Sequence, residues 1–176
     1  LPEGARQQAV ERSAAYSDGI FHNRELIPPS PNRGGLLKGW TSFLFAKKER
    51  PSPSAPLPSV KTDLKALDPA EDAVIWLGHS SFYIQLAGKR ILVDPVFSGD
   101  AAPVPFANRA FVGANIYTAE DMPEIDYLLI THDHWDHLDY NTVMALKPKV
   151  KEIICPLGVG EFFEQWGFDL AHLHEE

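Results

Sequence analysis

Hydrophobic and polar positions alternate, cluster or scatter in different parts of this chain, and each pattern predicts a different kind of segment. From Ala73 onward the order is dense. Val74-Ile75-Trp76-Leu77 is a short apolar run, and beyond it Phe82, Ile84 and Leu86 alternate with Tyr83 and Gln85, so both stretches predict β-strands. Ala87-Gly88-Lys89 supplies a turn, with Gly88 suited to a positive φ, and Arg90 to Val93 predicts the returning strand of a hairpin. Asp94-Pro95 stops it, because proline cannot donate to a ladder. Tyr127 to Ile130 and Lys151 to Cys155 are apolar runs too short for ordinary helices and predict two buried strands. Asp139 is a good N-cap for a helix over Asn141 to Leu146, which Lys147-Pro148 ends. After Pro156-Leu157-Gly158 a second helix carries Val159, Phe162, Phe163 and Trp166 and closes at Gly167, and Leu170 to Leu173 predicts the start of another strand.

Residues 1 to 60 lack this order. Pro28-Pro29-Ser30-Pro31 and Pro51-Ser52-Pro53-Ser54-Ala55-Pro56 disfavour regular structure, so residues 1–70 read as a Pro-rich N-terminal arm and 71–176 as the domain proper. One exception lies between the prolines. Leu36, Leu37, Trp40, Phe43 and Leu44 form a helical stripe near 36–46, followed by Lys47, Lys48 and Arg50. Such a segment either packs on the domain or lies on a membrane surface, with contact through 36–50. A long stretch from Ser98 to Pro123, with Phe97 just before it, sets Phe106, Phe111 and Tyr117 among Gly, Ala, Pro and Asn, and predicts either an apolar lid that admits an acyl chain or aromatics that cover the sandwich edge or hold the N-terminal arm.

Composition narrows the partners more than the fold. The 176 residues are 44% hydrophobic and 23% charged, enough for one globular domain. Sixteen Lys and Arg against twenty-four Asp and Glu give a net charge of −8, which disfavours nucleic acid as a partner, since phosphate contacts need clustered cations. The one cysteine, Cys155, has no internal partner and sits in an apolar run, so it reads as a buried small hydrophobe. No signal peptide and no apolar run near twenty residues is present, so the chain reads as soluble as given. The start at Leu1 implies a trimmed precursor or a chosen boundary, and a leader or anchor removed there would place the protein in a bacterial periplasm or at a membrane.

The chemistry is concentrated in Thr131-His132-Asp133-His134-Trp135-Asp136-His137-Leu138-Asp139, directly behind the strand at Tyr127 to Ile130. On a loop leaving a strand end, His132 and His134 share a face as alternate residues, and Asp136 and His137 can turn toward a second point a few ångströms away. Imidazole nitrogens suit zinc and similar borderline ions, and iron or manganese accept the same ligands. One or two such ions would make hydroxide available near neutral pH. A lone histidine is more often packed or solvated than a ligand; three imidazoles and two carboxylates in so short a loop shift that reading toward metal.

His132-Asp133-His134-Trp135-Asp136-His137 resembles the signature of the metallo-β-lactamase superfamily. Trp76-Leu77-Gly78-His79-Ser80-Ser81, Leu92 to Ser98 and His137-Leu138-Asp139-Tyr140-Asn141 resemble the branch that contains N-acyl-phosphatidylethanolamine phospholipase D and its bacterial relatives. The likeness runs from about Val74 to Leu170. It implies an α+β fold, a four-layer αββα sandwich of two similar halves of which this chain supplies the first. It also implies that further ligands, a third histidine, a bridging aspartate and a last histidine, come from downstream, so that the C-terminal remainder of the same protein completes the site. His172 and His174 follow His137 too closely to be those ligands.

The function expected is a metal-dependent hydrolase. His132 and His134 would bind a first metal, Asp136 and His137 a second, and Asp136 would also take the proton of the attacking water. By resemblance Asp94 orients the histidine-bearing loop, since a ligating imidazole needs an acceptor to fix its tautomer. His79 matches a histidine of the branch beside the first strand, with either a structural hydrogen bond or a substrate contact as its role. Asp139 reads as structural. By resemblance the substrate is a phosphodiester or lipid-type ester cut in the manner of a phospholipase D. A lactone or another ester is the alternative within hydrolases, and a non-catalytic metal-binding or interaction domain the alternative outside them.

Overall fold

A computed structural model describes residues 2–23, 25, 52–100 and 109–176. The predicted helix near 36–46, the basic residues that follow it and Phe106 lie outside the described residues. Among those described, no helix is long and apolar enough to cross a membrane.

The domain is built on one six-stranded mixed sheet whose strands lie in simple sequence order. β3 (Ala73–Gly78), β4 (Ser81–Leu86) and β5 (Lys89–Val93) form an antiparallel meander, while β6 (Ile125–Leu129), β7 (Val150–Cys155) and β8 (Leu173–Glu175) follow in parallel. The two-residue turn between β4 and β5 places both Ala87 (φ 49°) and Gly88 (φ 73°) in left-handed backbone, the geometry that matches strand twist. Two short helices carry the second and third of the three parallel crossovers. α2 (Tyr140–Leu146) begins at Asp139, whose side chain accepts from the Asn141 amide, and α3 (Gly160–Gln165) ends before Gly167 (φ 73°). Both lie on one face of the sheet, where Val143, Leu146 and Phe163 close over Tyr83, Leu92, Leu128 and Ile153. This is the α+β half expected.

Three features depart from the sequence reading. First, β4 turns its more polar set inward: Ser81, Tyr83 and Gln85 are buried, while Phe82 and Leu86 face out. Gln85 is tolerated there because its Nε2 donates to the carbonyls of Asp68 and Glu71, both at 2.6 Å. Second, the stretch read as extended arm starts with a helix, α1 (Gly4–Arg12), and a small hairpin, β1 (Tyr16–Ser17) with β2 (Ile20–Phe21). The proline clusters of the sequence begin only at Pro28, after both of these elements. Arg6 of α1 holds this unit down through Glu161 (3.1 Å), Glu164 (2.6 Å) and Glu175 (2.7 Å), and Leu64 is buried in the main core although it precedes residue 71. Third, Leu170–His172 is a 3-10 turn rather than a strand start, because the Asp169 carboxylate captures the Ala171 amide at 3.0 Å; β8 begins at Leu173.

Cys155 is buried as read, and burial pushes its thiol up to about 12.

Gly78 joins the sheet to the loop over it. Its φ is 111°, and a Cβ there would stand 2.5 Å from the Ala114 carbonyl oxygen. Gly78→Ala should therefore cost about 3 kcal/mol, from left-handed strain plus a backbone clash that must be relieved by moving the loop. A urea melt checks it; a loss below about 1 kcal/mol would mean that the loop at Ala114 yields freely.

Candidate metal centre

Strand order sets the site. β5 and β6 run parallel and end side by side, and the ladder continues one step further as the Asp94 amide donates to the Leu129 carbonyl at 3.0 Å. There the backbone of Asp94 turns left-handed (φ 41°), which aims its carboxylate across the end of β6 instead of along the strand. Asp94 is 2% exposed, and both oxygens are used. Oδ1 accepts the Thr131 amide at 2.7 Å; Oδ2 accepts the Thr131 hydroxyl at 2.5 Å and lies 2.9 Å from His137 Nδ1.

These contacts fix two tautomers. An ionised Asp94 can only accept, so His137 carries its proton on Nδ1 and presents a bare Nε2. The Thr131 hydroxyl, having given its proton to Asp94, accepts from His132 Nδ1 at 3.0 Å, which leaves His132 Nε2 bare as well. Thr131 was not singled out as a site residue in the sequence. Its signal is its place between the strand end and the first histidine, where a hydroxyl can relay between a carboxylate and an imidazole.

The loop folds compactly behind this. The amides of His137 and Leu138 both donate to the His134 carbonyl, at 2.9 and 2.8 Å, which brings His137 back over His132 with ring centroids 3.8 Å apart. His134 is exposed, its ring edge-on to His132 at 4.6 Å. From the β3–β4 turn His79 arrives in left-handed backbone (φ 44°), its carbonyl tied to Trp76 Nε1 at 2.8 Å and its Nε2 3.1 Å from Asp136 Oδ2. Burial raises the Asp136 carboxyl, but its own amide, the His79 hydrogen bond and the nearby His137 together hold it below the ordinary carboxylate range.

Two groups of donor atoms converge as a result, each with all atoms within 4.8 Å: Asp94, His132 and His137 in one, His79, Asp136 and His137 in the other. Because Asp94 is fully engaged with Thr131 and His137, it orients ligands in the first group and His132 and His137 are its free donors. His137 belongs to both groups, and His134 to neither. Imidazoles with one carboxylate are a donor set that fits zinc, iron or manganese. Asp139 lies away from the centre, holding Ser98 (amide at 3.0 Å, hydroxyl at 2.9 Å) and Thr142 as it caps α2. His172 and His174 are apart from it too, both on Glu152 at the far edge of the sheet.

Beside His79 opens a cavity of about 440 Å³, walled by Leu57, Trp76, Val96 and Phe111 with Arg109 in its lining. The loop after Ser98 thus forms the wall of a pocket next to the centre. Arg109 and Leu57 carried no motif that could have marked them in the sequence.

Asp94→Ala should lower metal affinity about 10–100-fold, because the His137 imidazole loses its acceptor and the His132 imidazole loses the carboxylate that holds its Thr131 acceptor in place. Equilibrium dialysis against zinc measures it, and unchanged affinity would show that the loop is preorganised without Asp94.

Residues 89–175 match the Beta-lactamase superfamily domain. An uncharacterised protein of Mycobacterium tuberculosis is 35% identical over 158 residues, 89% of this chain and 42% of that protein. A metal-dependent hydrolase of Caldivirga maquilingensis is 41% identical over 72 residues, 41% of this chain and 26% of that protein. The N-acyl-phosphatidylethanolamine-hydrolyzing phospholipase D 1 of Caenorhabditis elegans is 33% identical over 95 residues, 52% of this chain and 26% of that protein. The chain thus spans about two fifths of the length of the mycobacterial relative and less of the others. With its domain at 89–175 built around the loop from His132 to His137, the chain belongs to the metallo-β-lactamase superfamily.

Proposed function

We propose that this chain supplies the first half of the catalytic centre of a metal-dependent hydrolase acting on a phosphodiester or lipid-type ester in the manner of a phospholipase D. The observation that carries the reading is that His137 donor atoms converge with His132 in one group and with Asp136 in the other, under tautomers fixed by Asp94 and Thr131. His132 and His134 would hold a first cation and Asp136 a second, with His137, the residue common to both donor groups, serving both. A divalent cation held there supplies a Lewis acid that makes water a nucleophile near neutral pH and stabilises charge on the substrate's oxygens. Asp136, kept ionised below the ordinary carboxylate range, can accept the proton that water loses. His79 fixes the direction of the Asp136 carboxylate. The largely apolar cavity beside His79 accommodates an acyl chain, and Arg109 in its lining favours an anionic phosphodiester over a neutral lactone. The likeness to the C. elegans phospholipase D supports the same substrate class.

The test is metal content together with turnover of bis-(p-nitrophenyl) phosphate by the intact protein, before and after chelation and readdition of zinc, manganese or iron. Turnover that follows metal content and falls in His134→Ala supports the proposal. One tightly held zinc with no turnover above the His134→Ala control would overturn it in favour of a closed structural site.

A further inference from the structure

The metal reading uses one side of the loop from His132 to His137 and leaves the other unexplained. Asp133 and Trp135 alternate with the ligand residues, and both line a different cavity, an open groove of about 840 Å³. Trp135 is 65% exposed, far more than an aromatic that merely packs beneath a loop. Tyr140, Phe162 and Trp166, from α2 and the end of α3, line the same groove. They form a preorganised wall: Tyr140 meets Trp166 edge-on at 5.1 Å, and Phe162 lies 5.9 Å from Trp166.

The charge in this groove has one sign. Asp133 makes no ion pair among the described residues. Asp100 also lines the groove, with its Oδ1 buried and without a hydrogen-bond donor among the described residues. Asp139 lies at the floor, already satisfied by Ser98 and Thr142. Among the described residues no Lys or Arg is in the lining. Four aromatic rings with uncompensated carboxylates repel anions and give a neutral apolar group no use for the charge. An organic cation is complementary to both, since its alkyl surface covers the ring faces while its charge meets their quadrupoles and the acids. A bare metal ion would have no reason to prefer the rings.

We propose that this groove binds the alkylammonium group of a small water-soluble molecule, against Trp135, Tyr140, Phe162 and Trp166, with Asp133 and Asp100 providing the countercharge. The site goes beyond the hydrolytic centre and does not depend on it, because the groove residues are not metal donors.

Isothermal titration of the intact protein with choline, and with its neutral isostere 3,3-dimethylbutan-1-ol, at ionic strength held constant with sodium chloride, separates charge from shape. Choline should bind and the isostere should bind about 10-fold more weakly or not at all. Tyr140→Leu and Asp133→Asn should each weaken choline severalfold, with metal content unchanged in the same samples as the control on folding of the loop. Equal binding of the two compounds would make the groove an apolar surface and overturn the proposal. So would choline binding that neither substitution alters, or the absence of any choline heat. Sedimentation with phosphatidylcholine vesicles but no binding of free choline would place the contact on a lipid surface and overturn it too. Loss of hydrolysis with choline binding intact would remove the proposed function while leaving this site standing.

Discussion

His137→Ala in the intact protein should remove bound metal and hydrolytic turnover together while leaving the fold in place. His137 is the residue common to both convergent donor groups, so its loss disarms both at once, whereas any other single replacement leaves one of them complete. The expected fall in turnover is about 10³-fold or more, the scale on which an electrostatic stabiliser of the transition state is lost. The cost to stability is small by comparison. His137 makes one hydrogen bond through its ring, to Asp94, whose Oδ2 keeps the Thr131 hydroxyl after the ring is gone, so about 1 kcal/mol is at stake. His134→Ala makes the informative contrast. His134 is exposed, lies outside both groups and is assigned in the proposed function to the first cation alone, so its replacement should reduce occupancy at that position and spare the other. Metal analysis of the purified variants beside a thermal melt reads out both effects. A His137→Ala protein that keeps its full metal complement would show that the cation sits elsewhere and that the shared imidazole is structural.

What could be read in the sequence beforehand, and what could not, follows from the range of the interactions. The β4–β5 hairpin, the strand at Ile125–Leu129 and the Asp139 cap are written in neighbouring residues: a two-residue turn with glycine, a short apolar run, a carboxylate two residues before the amide it accepts from. The loop from His132 to His137 was legible for the same reason. His79 and Asp136 meet across 57 residues of sequence, and nothing local to either announces the partner. The inward face of β4 was hidden by chemistry rather than distance. Phe82, Ile84 and Leu86 outrank Tyr83 and Gln85 on any hydrophobicity scale, yet the helices cover the second set, because Gln85 finds two carbonyls from the Asp68–Glu71 turn. Both faces of the strand are apolar enough to be buried, so period alone could not choose between them. Helix α1 was masked by the prolines downstream of it, since its mixed sequence has no apolar stripe and it is held by the ion pairs of Arg6.

That unchosen face carries the second large effect. On the side of the sheet away from α2 and α3, two rows of side chains cross the strands in register: Val74, Ile84, Ile91 and Tyr127 in one, Trp76, Phe82, Val93, Leu129 and Ile154 in the other. Val74 is 69% and Trp76 55% exposed, and the rows end in polar residues only at β7 and β8, where Glu152 binds His172 and His174. An apolar surface of this extent does not stay in water in a well-behaved monomer. The four-layer αββα sandwich disposes of it by packing a second sheet about 10 Å away, with the polar edge left outside. Ile84→Asp in the intact protein should then place an unpaired carboxylate between two sheets and cost about 4 kcal/mol or more, enough to unfold a domain of ordinary stability. Lys89, opposite Leu86 at the rim of the same face, is exposed and gives the control, since Lys89→Asp should change stability by no more than about 0.5 kcal/mol. Urea titrations of the two variants decide between a covered and an open sheet. If Ile84→Asp melts with the parent protein, this face meets solvent in the finished molecule and the sandwich is not completed over it.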